Sequence, residues 1–318
     1  MTRFLIRRVL FGGLVLLIVS LSVFVLFFVA SDPAAAFCGR TCTPERLELV
    51  KSRLGLDRSY VAQYLSFLGN LMQGDLGYSF ASQRSVNDKI AEGLPATASL
   101  AFGSAVLWLL MGIPIGITAA TKPRSVRDRL ATLFALTGLS LPSFVVGLVL
   151  LNVLFYQLTI RGVTWFPPSG YVPLSENPAE WARHLVLPWF TLAFVTAASY
   201  ARLTRSSMLE VLGEDYIRTA RAKGLPERKV VYGHGLRSAL TPIVTLLGID
   251  VGTLLGGTVV TEQLFGLQGI GQSALQAVQN SDLPVVLGTV LVAALFVVIA
   301  NILVDILYAM LDARVRLA

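Results

Sequence analysis

The sequence is poor in charge. Only 14% of its 318 residues are Asp, Glu, Lys or Arg, where a soluble domain carries about 25%. That shortage excludes an ordinary soluble globular protein. Cysteine and histidine are scarcer still: Cys38, Cys42, His184 and His234 are the whole supply. So few ligands exclude a zinc or haem site of recognisable spacing. With the histidines far apart in the chain, no nucleophile–base arrangement is legible either. No glycine-rich segment ends in Gly-Lys-Ser or Gly-Lys-Thr, so the chain lacks a phosphate-cradling loop. The apolar stretches hold no acidic–basic relay of the kind proton coupling needs, and no convincing internal repeat.

What is present is length and apolarity. Hydrophobic residues make up 54% of the chain, and six stretches are long enough to cross a bilayer: 9–30, 96–121, 130–156, 185–203, 242–264 and 285–311. About 20 apolar residues suffice for a crossing. A backbone in lipid must satisfy its own hydrogen bonds, so these stretches are predicted helices. The fold class is an all-α membrane protein with six transmembrane helices. The first stretch follows Arg3, Arg7 and Arg8. It exceeds the 7–15 residues usual for a signal-peptide core, so it is read as a helix that stays.

Basic residues set the orientation. Arg3, Arg7 and Arg8, then Lys122, Arg124, Arg127 and Arg129, the 202–240 cluster, and Arg314 and Arg316 all fall on one side. Segment 262–284 has neither Lys nor Arg. The positive-inside rule then places both termini in the cytoplasm. The net charge of +7 fits this bias and anionic membrane lipid better than nucleic acid.

The organisation follows. Residues 1–30 are a tail and first helix, 31–95 an extracytoplasmic cap segment, and 96–318 a five-helix core with a cytoplasmic loop at 205–241. In the cap, 47–54 and 60–71 have apolar residues at helical spacing, and Gly74-Asp-Leu-Gly77 is a turn. Cys38 and Cys42 either form a small disulfide loop or remain two free thiols. Within the core, Gly112-Ile-Pro-Ile-Gly116, the stretch from Gly138 to Pro142, and Pro188 are predicted kinks. Gly248, Gly252 and Gly256 lie on one helix face and invite close approach of another helix, from this chain or a second one. Asp250 sits beside that stripe. A carboxylate at such depth faces protein or water. Asn152, Asn301 and Asp305 raise the same choice between lining a pathway and pairing with a neighbour.

The loop carries the most information. Residues 208–211 and 216–223 read as two short helices, Gly224 as the left-handed stop of the second, and Pro226 as the start of a further helical segment covering 227–237. A helix–glycine–helix elbow has a small, stiff outer surface suited to a cleft on another protein. Arg218-Thr-Ala-Arg-Ala-Lys-Gly-Leu225, followed by Leu236-Arg-Ser-Ala-Leu-Thr-Pro-Ile243, resembles the coupling-loop signature of bacterial ABC importer permeases of the dipeptide/oligopeptide/nickel branch. Also similar to that branch are Gly74-Asp-Leu-Gly77, Leu94-Pro95, Ser140-Leu-Pro-Ser-Phe144, Phe166-Pro-Pro-Ser-Gly-Tyr171, His184-Leu-Val-Leu-Pro188, Gly269-Ile-Gly271 and Asp282-Leu-Pro284. The likeness covers nearly the whole chain. Two departures stand out: Arg218-Thr219 replaces the Glu-Ala of the general signature, and Gln268 stands where proline is common.

The resemblance implies a transport subunit, not an enzyme, in a bacterial inner membrane. It implies a second homologous permease subunit, two ATPase subunits holding ATP and magnesium, and an extracytoplasmic solute-binding protein. On that pattern Arg218, Arg221 and Lys223 make charged contacts with the ATPase. Ala220 and Ala222 pack closely, Gly224 makes the turn, and Thr219 and Leu225 complete the segment. The cargo is a short peptide or related solute, moved by alternating access. A stand-alone proton-coupled carrier or channel is the alternative, and a non-transporting scaffold a third reading.

Overall fold

The computed structural model describes residues 2–29, 34, 43, 48, 51, 56–79, 81–167 and 169–311. Cys38, Cys42, most of the expected 47–54 helix, and Arg314 and Arg316 lie outside them. The elements are α1 (Thr2–Phe24), α2 (Tyr60–Met72), a two-residue hairpin β1 (Tyr78–Ser79) and β2 (Arg84–Ser85), and α3 (Val86–Thr121). Then come α4 (Val126–Ser140), α5 (Ser143–Leu150), α6 (Pro178–Leu212), α7 (Asp215–Ala222), α8 (Leu236–Gly257), α9 (Val259–Phe265), α10 (Ile270–Gln279) and α11 (Leu283–Leu311). π-helical turns extend α1 through Val25–Val29, follow α5 at Leu151–Tyr156, and precede α8 at Val230–Gly235.

Five segments among the described residues are long and apolar enough to cross a membrane: Ile6–Val29, Val86–Thr121, Ser143–Ile160, Pro178–Leu212 and Leu283–Ile306. The remaining expected crossing, 242–264, is two helices. α8 begins earlier, at Leu236, and is set off from α9 by the single residue Thr258, which keeps helical angles (φ −75°, ψ −10°) and donates its N–H to the Leu254 carbonyl at 3.1 Å. At 22 residues α8 is about 33 Å long, enough to cross alone. The expected 130–156 helix is also divided. Pro142 lacks an N–H and pushes its predecessor out of the helical region, and Leu141 adopts φ −101°, ψ 127°. The helix expected to begin at 96 starts ten residues sooner, at Val86, where the Ser85 hydroxyl accepts from Asn87 N–H. Residues 86–95 therefore continue into the core helix with no break at the cap boundary.

The centre of the bundle is the α3–α6 pair. Gly112 and Gly116 work there as contact surface, not as breaks in the helix. A Cβ on Gly112 would lie 2.6 Å from Tyr200 Cβ and 2.9 Å from the Ala197 carbonyl, and one on Gly116 2.7 Å from the Ala201 carbonyl. α3 runs through both, and through Pro95 and Pro114. Close backbone approach gives dense dispersion contact, the main adhesive between helices in lipid. Trp108 and Tyr200 fill the adjoining core, fully buried, with ring centroids 5.9 Å apart.

α11 closes one side. It meets α8 along the glycine stripe: a Cβ on Gly248 would sit 2.8 Å from Val304, and one on Gly252 3.4 Å from Val297. The helix that fills this stripe thus belongs to the same chain. α1 lies outside α11, joined by the ion pair Arg8–Asp305 at 2.9 Å. At the opposite end α2 leans on α1. Ser20 and Tyr64 hydroxyls are 2.9 Å apart, and Phe24 meets Tyr64 edge-on and Phe67 at a tilt. The apolar face expected of residues 60–71 is thus partly covered. Gly74 and Gly77 both take positive φ, and Asn87 pins that turn by accepting from Leu76 N–H and donating to the Gly74 carbonyl.

Candidate functional site: the basic elbow

The elbow stands at the end of the bundle that also holds the α3–α4 turn and the first residues of α1. α6 does not stop at 203 as expected. Nothing between 203 and 212 breaks a helix, so Met208 continues it, fully buried against Ile117, Ala120, Val231 and Ala239. The turn comes at Gly213, and α7 starts after Glu214 in extended conformation. Asp215 sits in the first turn of α7 and Arg221 in its last, each on the end where the helix dipole favours its charge.

One face of α7 holds it down. Ile217 is fully buried and Ala220 nearly so, packed with Val230 and against Val211, Leu212 and Leu225. Burying Ile217 alone is worth about 1.5–3 kcal/mol. The Tyr216 hydroxyl donates to Ser238 Oγ at 3.0 Å, tying α7 to α8. The helix ends as anticipated. Gly224 takes φ +78°, and Leu225 N–H returns to the Ala220 carbonyl at 3.4 Å, the bond pattern of a left-handed C-terminal stop. Beyond Pro226, Arg221 grips Glu227 through two hydrogen bonds of 3.1 and 2.8 Å. That contact holds the Glu227 carboxyl below the usual carboxylate range. A short helical turn and the π-helical segment then lead without a gap into α8.

The other face of α7 is open. Arg218, Thr219, Arg221, Ala222, Lys223 and Gly224 are exposed. Arg218 has an exposed neighbour in Asp215 at 3.2 Å, and Lys223 has no ion pair among the described residues. The expected roles are therefore split. Ala220 and Leu225 serve the elbow's own interior, and Ala222 is the small residue that faces outward. Among the described residues nothing lies within 4 Å of a Cβ built on Gly224, so this side of the turn is open.

A partly buried ion pair braces the same end. Arg205 of α6 donates to Asp128 at 2.6 and 3.0 Å, and Arg124 N–H adds a third bond at 2.9 Å. The guanidinium, with help from that N–H, holds the Asp128 carboxyl below its ordinary range. The pathway candidates do not form one cluster. Asp250 interacts with Tyr200 across α6–α8. Asn301 donates to the Val297 carbonyl beside the glycine stripe. Asp305 is taken by Arg8, and Asn152 is exposed in the π-helical turn after α5. Gly256 lies in the last turn of α8.

A polar site at the far end escaped sequence reasoning. Glu262 of α9 is fully buried. Its carboxylate accepts from the Thr97 hydroxyl at 2.7 Å, the Thr258 hydroxyl at 2.9 Å and Gln272 N–H at 2.8 Å. Thr97 in turn accepts from Ile270 N–H. The carboxylate sits against the N-terminus of α10, where unpaired N–H groups favour an anion. Gly269 leaves the room: a Cβ there would run into the Glu262 carboxylate. The available signal was a lone carboxylate seven residues ahead of Gly269-Ile-Gly271. Nearby, buried Asp282 accepts from Ser79 at 2.5 Å and faces Lys89 at 3.4 Å, fastening the hairpin to α11.

Long apolar helices, divided crossings and an outward basic elbow define a polytopic membrane protein with an exposed basic face at one end. Comparison with known proteins narrows the class. Residues 112–317 match the family described as "Binding-protein-dependent transport system inner membrane component", and residues 1–101 match its N-terminal companion. A peptide transport system permease protein of Brucella abortus (strain 2308) is 42% identical over 317 residues, covering 99% of each chain. The glutathione transport system permease protein GsiC of Escherichia coli O6:H1 is 38% identical, covering 99% of each. The oligopeptide transport system permease protein AppB of Bacillus subtilis is 37% identical, covering 99% of this chain and all of its own. A chain of the MetNI methionine ABC transporter shares the fold, with TM-score 0.54 and 18% identity over 70% of this chain and 96% of its own. The chain belongs to the inner-membrane components of binding-protein-dependent transport systems and is a permease subunit of an ABC importer.

Proposed function

We propose that this permease passes short peptides, that it pairs with a second homologous permease, and that separate ATPase chains seat on the outer face of α7. An extracytoplasmic solute-binding protein delivers cargo at the end carrying α2, α10 and the hairpin. The elbow end is cytoplasmic and both termini lie there, a reading that the distribution of basic residues supports. The observation carrying this reading is the two-sidedness of α7. Its inner face is welded to α6 and α8 through Ile217, Val230 and Tyr216, and its outer face is bare and basic. A body so attached transmits force: whatever moves α7 moves the ends of both helices.

The mechanism that follows is alternating access. ATP and its magnesium sit on the partner chains and supply the energy when bound there. This chain's residues supply grip and rigidity. Arg218, Lys223 and Arg221 meet acidic groups on the ATPase, Ala222 permits close approach, and the Arg205–Asp128 pair keeps α4 and α6 moving together. Relatives named for peptide and glutathione transport support the cargo class. The test is to purify the tagged permease from its native membrane. ATPase chains should come with it, and addition of peptide-loaded binding protein should raise ATP hydrolysis. A permease that emerges without ATPase chains, or whose hydrolysis ignores the loaded binding protein, contradicts the proposal.

A further inference from the structure

A groove of about 560 Å³ lies between α6 and α8 toward the elbow end, lined by Ser199, Arg202, Leu203, Ser206, Pro242, Thr245, Leu246 and Ile249. That volume falls within the ~300–1,000 Å³ of small-molecule sites. Its chemistry is unlike the outer faces of α1, α4 and α5, where Val9, Leu10, Leu14, Leu130, Leu133, Leu136, Leu148, Val149 and Val153 stand exposed. Those apolar faces suit lipid. The groove instead sets a guanidinium and three hydroxyls beside an aliphatic wall.

Arg202 is exposed in this groove, and no carboxylate among the described residues forms an ion pair with it. Its neighbour in the same helix, Arg205, is paired with Asp128 through Nε and Nη2. Ser199, Arg202 and Ser206 recur at helical spacing and share one face of α6. Ser206 and Thr245 already donate their hydroxyl protons to the Leu203 and Thr241 carbonyls, so toward the groove they present acceptor lone pairs. A cation with acceptors around it and an apolar wall of Leu203, Leu246 and Ile249 complements a carboxylate next to N–H groups and an aliphatic side chain. Guanidinium pairs with carboxylate in a two-pronged geometry that no hydroxyl supplies.

We propose that this groove is a transient station for the carboxylate end of the cargo, with Arg202 as the binding residue. The proposal rests on the peptide-importer reading and adds to it a residue and a ligand group. Arg202 is not part of the elbow's docking face, so its loss leaves ATPase capture intact.

The test uses the assembled transporter in vesicles of phosphatidylcholine, in a Cys38→Ser, Cys42→Ser background carrying Ser206→Cys. Two methanethiosulfonate probes are compared, one ending in a sulfonate and one in a trimethylammonium. The groove should label from water, with the sulfonate-to-trimethylammonium rate ratio raised about tenfold over that of a free thiol, the scale of one unit charge a few ångströms away. Arg202→Gln should abolish that preference. Tri-alanine at high concentration should slow labelling in the Arg202 protein, and tri-alanine amide should not. Failure to label would mean that a neighbouring helix or lipid fills the groove. Labelling with no charge preference, or equal protection by both peptides, would also overturn the proposal. Added phosphatidylglycerol that blocks labelling as tri-alanine does would assign the site to lipid headgroups and overturn it too. Stimulated ATP hydrolysis in the same vesicles reports separately on the importer reading.

Discussion

Gly224 offers the sharpest perturbation. Its φ of +78° costs an L-residue about 1–2 kcal/mol. Nothing among the described residues lies within 4 Å of an added Cβ, so they add no clash to that strain. The elbow's hold through Ile217, buried for about 1.5–3 kcal/mol, is of the same size as the strain or larger, and Val230 and Tyr216 add to it. Gly224→Ala and Gly224→Asp should therefore both insert and fold, with melting lowered by a few degrees at most, at about 2–4 °C per kcal/mol. They should part company in function. Asp places a carboxylate where a partner must close, and an unpaired charge trapped in such a contact costs several kcal/mol. ATPase capture on the tagged permease should fall more than about 100-fold for Asp and modestly for Ala. Gly224→Asn, uncharged and tolerant of positive φ, should stay close to wild type. The assay is the ATPase content and uptake of membranes matched for permease level. Wild-type capture by the Asp variant would refute the reasoning, and so would a collapse of Ala and Asp alike in membrane abundance.

Three further perturbations probe the frame. Gly112→Val should destabilise the bundle by about 1–3 kcal/mol or more, because its Cβ would meet the Ala197 carbonyl at 2.9 Å and overpack the α3–α6 contact; thermal unfolding in detergent reads it. Glu262→Ala should cost about 2–5 kcal/mol, since it strands the Thr97 and Thr258 hydroxyls and Gln272 N–H, each a buried donor losing its acceptor. Glu262→Gln should recover only part, and an alanine variant that melts like wild type would remove the site's structural role. Asp128 carries the pH dependence. Its carboxyl is held low by Arg205, so its contribution is full above the ordinary Asp value of about 3.9. The contribution is lost as pH falls through the lower folded value. Asp128→Asn should thus melt below wild type at pH 7, with the gap narrowing beneath about pH 4.

The sequence exposed the crossings and the elbow because both rest on strong local signals. Apolar length locates the helices, and a glycine flanked by Lys223 and Leu225 marks a left-handed stop. Helix ends were harder to read. Met208 looked like the start of a separate helix, yet with no breaker before Gly213 the packing of Met208 on Ile117 and Val231 keeps α6 continuous. Residues 242–264 read as one apolar run, and the backbone stays nearly helical through Thr258; what that run did not reveal is Glu262 bonding to Thr97 and α10, contacts distant in the chain. Pro142 was legible as a kink. Its full separation of α4 from α5 reflects the extended Leu141 that precedes it. Ala220 was misread as an outward residue, since an alanine suits a close contact on either side of a helix. Only the burial of Ile217, one turn earlier, decides which face turns in.

The central claim is that a separate ATP-hydrolysing chain grips the outer face of α7. The direct measurement is cross-linking from that face in the purified importer, using Lys223→Cys in the Cys38→Ser, Cys42→Ser background and a short bifunctional thiol–amine reagent. The account predicts a product joining this permease to an ATPase chain, with a yield that changes between the nucleotide-free and ATP-bound states. Absence of that product under every nucleotide condition, with the ATPase chains still present in the sample, would contradict it.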